Sequence, residues 1–335
     1  MEEGNLRVLI IRLSSIGDVI LTTPVLKELK GKYPNIIIDF IVMDKFKGAI
    51  EGCPYIDNLI IFNKKENDGI LNIIEFAKKL KKNNYSHVID LHGKLRSIII
   101  SKIIGGDVCK YRKRSWWKTL LVKLRVIKYT VDDTIVKNYF GAVKKLGVEY
   151  KGEDLNFAFS RGDLENIPEE YRGHVVFAPG ASKNTKKWCV ENFGELAKLI
   201  YEKYGEKVLI IGGNEDYEAA EKIDSISGGN CVNLCGTLNL KESGALLSKS
   251  EYLVTNDSGP FHIARGVKCK SYVIFGPTSP GMFEFQKNEN LIYSGERCSP
   301  CSLHGDKKCP KGHFNCMKKI SGKDVFDIIE KNKGV

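Results

Sequence analysis

The chain has 335 residues, of which 42% are hydrophobic and 28% are charged. This length and composition predict two globular domains and exclude a disordered or low-complexity protein. The longest apolar runs fall far short of the roughly 20 residues that cross a bilayer, which argues against a transmembrane helix. The start Met1-Glu2-Glu3 is acidic, unlike a secretory signal, so we expect a cytoplasmic protein.

The positive charge is concentrated in one part of the chain. Lys and Arg number 52 and Asp and Glu 41, which gives a net charge of +11. Residues 64–128 contain 17 Lys or Arg and 5 Asp or Glu, so this window carries +12 and the remainder about −1. Such a local excess favours an anionic partner: a phosphorylated acceptor, an acidic membrane surface or a nucleic acid. A lysine-rich face without a ligand is the alternative.

Hydrophobic patterning predicts a first α/β unit. Strands are expected at 6–13, 36–42, 59–62 and 87–91, and helices at 19–32 and 70–82. A strand, a tight loop, a helix and a parallel strand form a βαβ unit, whose crossover is right-handed. The irregular segment 154–172, which contains Pro168, marks the expected domain boundary.

The same pattern then restarts. Strands are expected at 174–178, 207–211, 231–234, 251–255 and 271–275, and helices at 190–204, 215–226, 241–249 and from residue 260. We therefore predict an α/β protein with two Rossmann-like, doubly wound domains, 1–160 and 165–320, facing each other across a cleft. A helix near 321–333 is expected to pack back on the first domain. Ligands should bind at the carboxyl ends of the strands.

The loop after the first strand contains Ser14, Ser15, Gly17 and Asp18. Gly17 permits a close approach, and Asp18 falls at the start of a helix. A carboxylate there can accept a proton from a substrate hydroxyl. It can instead only cap the helix, and a helix N-terminus lowers the pKa of a carboxylate, which weakens it as a base. The spacing leaves both roles open.

Two further loops suit an anionic ligand. Residues 179–188 place small residues, hydroxyl groups and three lysines before a helix, a combination that can bind a diphosphate. Residues 255–262 place polar side chains before a helix that starts near Pro260, with His262 in its first turn. A solvated basic loop and a structural histidine are the alternatives. Neither domain has a G-x-G-x-x-G motif after its first strand, which argues against a standard dinucleotide site.

Four motifs together resemble the ADP-heptose:lipopolysaccharide heptosyltransferases, glycosyltransferase family 9. They are residues 13–19, Pro179-Gly180-Ala181 with Lys187-Trp188, residues 256–264, and residues 275–280. The resemblance implies a GT-B fold with an acceptor domain followed by a nucleotide-sugar domain. It implies an inverting, metal-independent transfer of heptose from ADP-heptose to the lipopolysaccharide inner core. A GT-B glycosyltransferase that uses another nucleotide sugar is one alternative, and a nucleic-acid-binding protein with a C-terminal zinc clip is another.

The resemblance also assigns roles by position. Asp18 becomes the general base and Lys187 the cation that stabilises the leaving diphosphate. The implied donor-binding residues are Ser182, Lys187, Gly213, Glu215, Asp257, Ser258, Gly259 and His262. The implied acceptor-binding residues are Ser14, Ser15, Gly17, Asp90, Gly93, Lys94 and Ser97. Cys189 stands where the family usually has Pro, a change that removes no charged group.

The basic window includes residues 110–118, which contain five Lys or Arg together with Trp116 and Trp117. Apolar residues follow at roughly helical spacing up to Ile127. Basic residues with interfacial aromatics are typical of segments that lie on anionic lipid. With a lipid-anchored anionic acceptor, this composition predicts peripheral contact with the inner face of the cytoplasmic membrane. An ordinary packed helix is the alternative.

The chain has ten cysteines, and six of them are scattered in a way that predicts buried thiols. The other four are Cys298, Cys301, Cys309 and Cys316, with His304 and His313 nearby. Their spacing could hold a tetrahedral, structural zinc. Free thiols and disulfides are the alternatives. The resemblance implies that catalysis requires no cofactor.

Overall fold

The computed structural model describes residues 6–111 and 131–333. The chain divides into two compact units. The first contains the described residues before 112 together with Asp133–Ala158, and the second contains residues 131–132 and the described residues from Phe159 onward. Each unit has its own parallel sheet, so the predicted class of two Rossmann-like α/β units is confirmed.

The first unit is built on a five-stranded sheet in the order β3-β2-β1-β4-β5. Its strands are β1 (Arg7–Ile11), β2 (Ile37–Met43), β3 (Asn58–Phe62), β4 (His87–Asp90) and β5 (Asp107–Lys110). Its helices are α1 (Ile16–Ile20), α2 (Thr23–Lys32), α3 (Gly69–Lys81), α4 (Leu95–Ile104) and α5 (Ile135–Val143). The central strand β1 is apolar and buried from Val8 to Ile11, as a parallel strand covered on both faces requires.

The single helix predicted over 19–32 is wrong, because the structure has two helices there. Pro24 is the second residue of α2, and its nitrogen has no proton to donate to the carbonyl of Ile20, as a continuous helix would require. The hydroxyl of Thr23 donates to that carbonyl at 2.8 Å, and the hydroxyl of Thr22 donates to Val19 at 2.7 Å. Two side chains therefore satisfy the end of α1, and the chain restarts as α2.

The second unit is built on a six-stranded parallel sheet in the order β11-β10-β9-β6-β7-β8. Its strands are β6 (Val176–Ala178), β7 (Val208–Ile210), β8 (Cys231–Asn233), β9 (Leu253–Asn256), β10 (Ser271–Phe275) and β11 (Glu289–Tyr293). Its helices are α6 (Arg161–Glu165), α7 (Val190–Tyr204), α8 (Tyr217–Ser227), α9 (Leu240–Leu247), α10 (Gly259–Gly266), α11 (Asn315–Lys318) and α12 (Gly322–Lys333). The central strands β6 and β9 are buried throughout.

The last helix, α12, belongs to the second unit, whereas it was expected to pack back on the first. It lies against α7. Val325 and Ile329 are four residues apart, so they share one face of α12, and both are buried in the same core as Phe193 of α7. Glu330 also pairs with Lys203 at the end of α7. The apolar stripe of α12 is therefore covered within the second unit.

Candidate active site

Most of the predicted site residues lie in loops that follow the carboxyl ends of strands. In the first unit, β1 and β4 are neighbours, and Ile11 at the end of β1 is paired with Asp90 at the end of β4. The loop that carries Asp18 therefore starts beside the loop that follows Asp90. This edge of a parallel sheet is where α/β proteins bind ligands.

Asp18 is the third residue of α1 and binds three donor groups. Its Oδ2 lies 2.8 Å from Nη2 of Arg12 and accepts hydrogen bonds from the Ser15 hydroxyl at 2.9 Å and the Ser15 amide at 3.3 Å. Burial acts to raise the pKa of Asp18, but Arg12 and the Ser15 hydrogen bonds outweigh it, so the pKa lies below the ordinary value of 3.8. The side chain is still 33% exposed. Asp18 thus caps α1 and also offers an ionised carboxylate to solvent.

Arg12 is a site residue that the sequence analysis missed. Its Nη1 donates to the Leu91 carbonyl at 2.5 Å, its Nε donates to the Ser14 carbonyl at 2.8 Å, and its guanidinium lies 5.5 Å from the ring centre of Tyr139. Arg12 is only 8% exposed. It therefore connects the two loops and fixes the position of Asp18. A basic residue directly after the apolar run Val8–Ile11 was the available signal.

Asp90 organises the second loop of this edge. It is fully buried, and its Oδ1 accepts from the amides of His92 and Gly93 at 2.9 Å, while its Oδ2 accepts from the Ser97 hydroxyl at 3.0 Å. Gly93 has a φ of 61°, a conformation that favours glycine. Ser97 is buried too, so Asp90 and Ser97 shape the loop from within. The exposed side chain of this group is Lys94, which precedes α4.

The other predicted acceptor residues, Ser14, Ser15 and Gly17, surround Asp18 in the first loop. Ser15 is exposed, Ser14 is half-buried and Gly17 is buried. The structure therefore brings together Asp18, Arg12 and Ser15 on one loop and places Lys94 on the neighbouring one. Of the basic segment 110–127, residues 112–127 lie outside the described residues, among them Trp116 and Trp117.

In the second unit, two consecutive lysines contact two different carboxylates. Nζ of Lys186 lies 2.8 Å from Oδ2 of Asp257, and Nζ of Lys187 lies 3.3 Å from Oδ1 of Asp216. Thr278 also donates to Oδ2 of Asp257, at 2.7 Å. The cation beside the predicted donor carboxylate Asp257 is therefore Lys186, whereas the resemblance implied Lys187 as the cation that stabilises the diphosphate. The spacing did not reveal which of the two lysines points to Asp257.

Asn256 holds the loop of residues 179–188, here called the lysine loop, against the sheet. Its Nδ2 donates to the Pro179 carbonyl at 2.7 Å, and its Oδ1 accepts from the Trp188 amide at 3.0 Å. β6 and β9 are adjacent strands, so Asn256 at the end of β9 reaches both ends of the loop that follows β6. Asn256 is fully buried. Like Thr278 and Asp216, it was not assigned a role from the sequence.

The start of α10 presents backbone donors next to Asp257. Ser258 is the residue before the helix, and among the described residues no side chain caps this end. The amides of Gly259 and Phe261 are therefore unsatisfied within the helix, while Pro260 has no amide proton. His262 is 5% exposed and its ring lies 5.0 Å from that of Phe283, so it is mostly enclosed.

The remaining predicted donor residues lie at neighbouring strand ends. Ser182 is exposed in the lysine loop. Glu215 is exposed after β7, and its carboxylate covers Gly213, where a Cβ atom would come within 2.3 Å of Oε2. Asp216 packs equally closely on Gly180, where a Cβ atom would lie 2.3 Å from Oδ2. Asp216 therefore joins the loops that follow β6 and β7.

Comparisons with known proteins show the family and the fold of this chain. Residues 73–311 match the model of glycosyltransferase family 9 (heptosyltransferase). Lipopolysaccharide heptosyltransferase 1 of Campylobacter coli is 26% identical, over 97% of this chain and 98% of its own length. A glycosyl transferase family 9 structure from Veillonella parvula superposes with a TM-score of 0.81 at 21% identity, covering 99% of this chain and 98% of its own. The Escherichia coli heptosyltransferase WaaC, solved with ADP-2-deoxy-2-fluoro heptose, gives 0.72 at 20% identity, with 97% and 99% covered. These similarities show the GT-B fold that the resemblance implied.

Proposed function

The chain belongs to glycosyltransferase family 9, and from this premise we propose that it transfers heptose from ADP-heptose to the inner core of lipopolysaccharide. The family match carries the proposal, since it spans residues 73–311 and names heptosyltransferases. The chain is a glycosyltransferase by this membership. The donor, the acceptor and the residue roles below are proposals supported by the geometry of the two units.

The second unit supplies the groups suited to a nucleoside diphosphate. The unsatisfied amides at the start of α10 follow Asp257 in the chain, and the ammonium group of Lys186 contacts the Asp257 carboxylate. Helix N-termini and ammonium groups both stabilise phosphate oxygens. We assign to Lys186 the role of stabilising the charge that develops on the leaving diphosphate. We propose Asp257 as a partner for donor hydroxyls and for Lys186, and Glu215 as a contact for the nucleoside.

The first unit supplies the base. In an inverting transfer, an acceptor hydroxyl oxygen bonds to the anomeric carbon while the bond from that carbon to the diphosphate oxygen breaks. The hydroxyl proton passes to the carboxylate of Asp18, and ADP leaves with the bonding electron pair. Because Arg12 and Ser15 hold Asp18 ionised, it is ready to accept a proton at neutral pH. Its low pKa makes it a weak base, so the transfer should occur late, when the attacking oxygen has become acidic.

We propose that this chemistry requires no metal ion. An ammonium group and helix amides provide the positive charge that a divalent cation provides in other nucleotide-sugar enzymes. Any metal at the C-terminal cysteines would be structural, since Cys298 and its neighbours lie on the segment after β11 and supply thiols rather than carboxylate oxygens.

A peripheral membrane contact would bring the enzyme to a lipid-anchored acceptor. In the described part of the chain, no helix combines the length and apolarity of a membrane span. Three of the most exposed apolar side chains of the first unit are Leu71, Leu95 and Ile70, which are 77%, 67% and 59% exposed. They lie at the first turns of α3 and α4, helices that pack together and start at the carboxyl edge of the sheet. Lys94 directly precedes α4, and a basic side chain beside exposed leucines is suited to anionic lipid.

Vesicle sedimentation tests this contact. Replacing Leu71 and Leu95 by Glu should reduce binding to vesicles that contain phosphatidylglycerol and leave ADP binding unchanged. The matched control is Leu291→Glu, which alters an exposed leucine of the second unit. Equal vesicle binding by all three proteins would refute the assignment of this surface.

Thermal unfolding with a ligand panel tests the donor. A ligand at about 100 times its Kd stabilises the protein by about 2.7 kcal/mol. We expect ADP to raise the unfolding temperature, and UDP, GDP, NAD and a short oligonucleotide to have no effect. A response to UDP or GDP would retain the fold and reject ADP-heptose. A response to the oligonucleotide alone would instead favour a nucleic-acid-binding protein.

The variant Asp18→Asn tests the base. It should abolish heptose transfer from ADP-heptose while ADP still binds with unchanged affinity. Asp163 is the matched control because it caps α6 through Ser160 as Asp18 caps α1 through Ser15. If Asp163→Asn and Asp18→Asn lose activity to the same extent, the role of Asp18 is that of a helix cap only.

A further inference from the structure

The segment after β11 brings four cysteines to one small cavity. Cys298, Cys301, Cys309 and Cys316 line it together with His313, Phe314 and Pro277. All four are free thiols, and each is half-buried or buried. The surrounding segment, residues 294–314, has no helix or strand of its own. Four cysteines that line one cavity of an irregular segment are a residue set that can close around a structural metal.

The hydrogen bonds of His313 distinguish the possible ligand sets. Glu296, Cys298 and His313 form a compact trio whose ligand atoms lie within 4.8 Å of one another. However, the amide of Asn315 donates to Nδ1 of His313 at 2.9 Å, so in the neutral ring the proton is on Nε2. Nε2 lies 3.7 Å from Sγ of Cys298 and donates to that sulfur. A protonated nitrogen cannot bind a metal, and Glu296 already pairs with Lys319 at 2.8 Å.

We propose that Cys298, Cys301, Cys309 and Cys316 bind one Zn²⁺ as a four-thiolate site, and that this site fastens the loops that hold the donor. His313 would act as a hydrogen-bond donor to the Cys298 sulfur, as residues around metal ligands commonly do. Zinc suits four thiolates in tetrahedral geometry, and binding releases the four thiol protons to solvent. The second half of this proposal rests on the proposed function.

The cysteine segment contacts both sides of the Lys186–Asp257 pair. On one side, the amide of Thr185 donates to the Asp306 carbonyl at 3.2 Å, and the Thr185 hydroxyl accepts from the Asp306 amide at 2.7 Å. Thr185 directly precedes Lys186. Gly305, in the cysteine segment, also packs against the lysine loop, since a Cβ atom at Gly305 would come within 2.7 Å of Cγ of Lys186.

On the other side, the amides of Cys301 and Ser302 donate to the Pro277 carbonyl at 2.9 and 3.0 Å. Pro277 directly precedes Thr278, which donates to Asp257. The Cys301 amide therefore binds the loop after β10. Asp306, which lies between Cys301 and Cys309, binds the lysine loop. Loss of the metal would loosen both loops and displace Lys186 from Asp257.

Metal analysis of the purified full-length protein tests the site itself. We expect one zinc per chain in wild type, in the buried-thiol control Cys269→Ser and in His313→Gln, and less than a tenth of that in Cys301→Ser and Cys309→Ser. Circular dichroism verifies that each variant is folded. If the cysteine variants fail to fold, zinc release from wild type by a thiol-modifying reagent provides the same readout. Protein without stoichiometric zinc, iron in its place, or a disulfide that leaves eight of the ten thiols titratable would overturn the proposal.

ADP affinity tests the connection to the donor loops. Removing zinc from wild type with a chelator should weaken ADP binding by at least tenfold, and adding zinc back should restore it. Unchanged affinity in the zinc-free protein would overturn the fastening role. If zinc behaves as expected but no form of the protein binds ADP, the metal site stands and the proposed function fails.

Discussion

The guanidinium of Arg12 lies 2.8 Å from the carboxylate of Asp18, and the same guanidinium binds the Leu91 carbonyl of the neighbouring loop. The candidate base is therefore fixed by a residue that also fixes the Asp90 loop. Arg12 is largely buried and Asp18 is partly exposed. The ionised carboxylate of Asp18 therefore faces solvent, and its counter-ion, the Arg12 guanidinium, lies beneath it. This arrangement favours orientation over basicity.

Replacing Arg12 by Met should move the acid limb of the rate profile to higher pH. Burial raises the pKa of Asp18 and Arg12 lowers it, so removing Arg12 leaves the raising effect. Activity requires the ionised carboxylate and is lost as the pH falls through its pKa. The measurement is kcat/KM against pH for wild type and Arg12→Met. Arg12→Lys keeps a positive charge and should shift the limb less, and an identical limb in all three would show that Asp18 is not the titrating group.

The same pair affects stability with a defined sign. The pKa of Asp18 is lower in the folded state than its ordinary value of 3.8, so its ionisation stabilises the fold above pH 3.8. This contribution is lost as the pH falls from 3.8 through the lower folded value. Urea unfolding of wild type and Asp18→Asn should therefore differ more at pH 6 than at pH 2.5. An equal difference at both pH values would contradict the shift.

Lys186 and Lys187 form a natural comparison of two adjacent lysines. Replacing Lys186 by Met should weaken ADP binding by about 10- to 100-fold, because a charge-assisted contact is worth about 1.5–3 kcal/mol and the buried Asp257 loses its counter-ion. Replacing Lys187 by Met removes a 3.3 Å contact from a more exposed side chain and should have a smaller effect. Calorimetric titration with ADP measures both. A larger loss in Lys187→Met would return the diphosphate role to Lys187.

Asp90 should prove important for folding and not for contact with the acceptor. Replacing Asp90 by Ala removes an acceptor from the buried amides of His92 and Gly93 and from the Ser97 hydroxyl, and should destabilise the protein by about 2–4 kcal/mol. Ser97→Ala removes one of these contacts and should cost about 1 kcal/mol. Urea unfolding monitored by circular dichroism measures both. Wild-type stability in Asp90→Ala together with a raised acceptor KM would indicate direct binding instead.

Periodicity predicted the regular elements of the second unit closely. The helix over 190–204 and the strand over 271–275 match the structure at both ends. Periodicity missed β5, the strand at one edge of the first sheet. Its four residues include Asp107 and Lys110 and contain no apolar run. The last helix was predicted near its position but assigned to the wrong unit, because an apolar stripe does not specify which surface covers it.

The candidate site could also be predicted only in part. Loop positions could be predicted because polar residues and glycines directly follow apolar strands, as at Asp18 and Asp257. The partners of these carboxylates could not, because Arg12 and Lys186 become partners only through the directions of long side chains. Hydrophobic patterns carry no information about such directions. The choice between Lys186 and Lys187 is the clearest case, since the two residues are adjacent in sequence and bind carboxylates on different loops.

The helix that presents its amides beside Asp257 is held at its other end by a buried ion pair. Nε of Arg265 in α10 lies 2.9 Å from Oε1 of Glu289 in β11, and both side chains are at most 2% exposed. Breaking such a pair leaves a buried charge and costs about 3–5 kcal/mol. Glu289→Gln should therefore lower the free energy of unfolding by that amount.

An exposed pair provides the matched control for this variant. Lys198 and Glu202 lie on the surface of α7, where an ion pair contributes about 0.3–0.5 kcal/mol, so Glu202→Gln should change stability little. Urea unfolding at pH 7 measures both variants. Since the Glu289 pair supports α10 at the end away from its free amides, Glu289→Gln should also weaken ADP binding, whereas Glu202→Gln should not. A destabilised Glu289→Gln protein with unchanged ADP affinity would show that the start of α10 does not hold the donor.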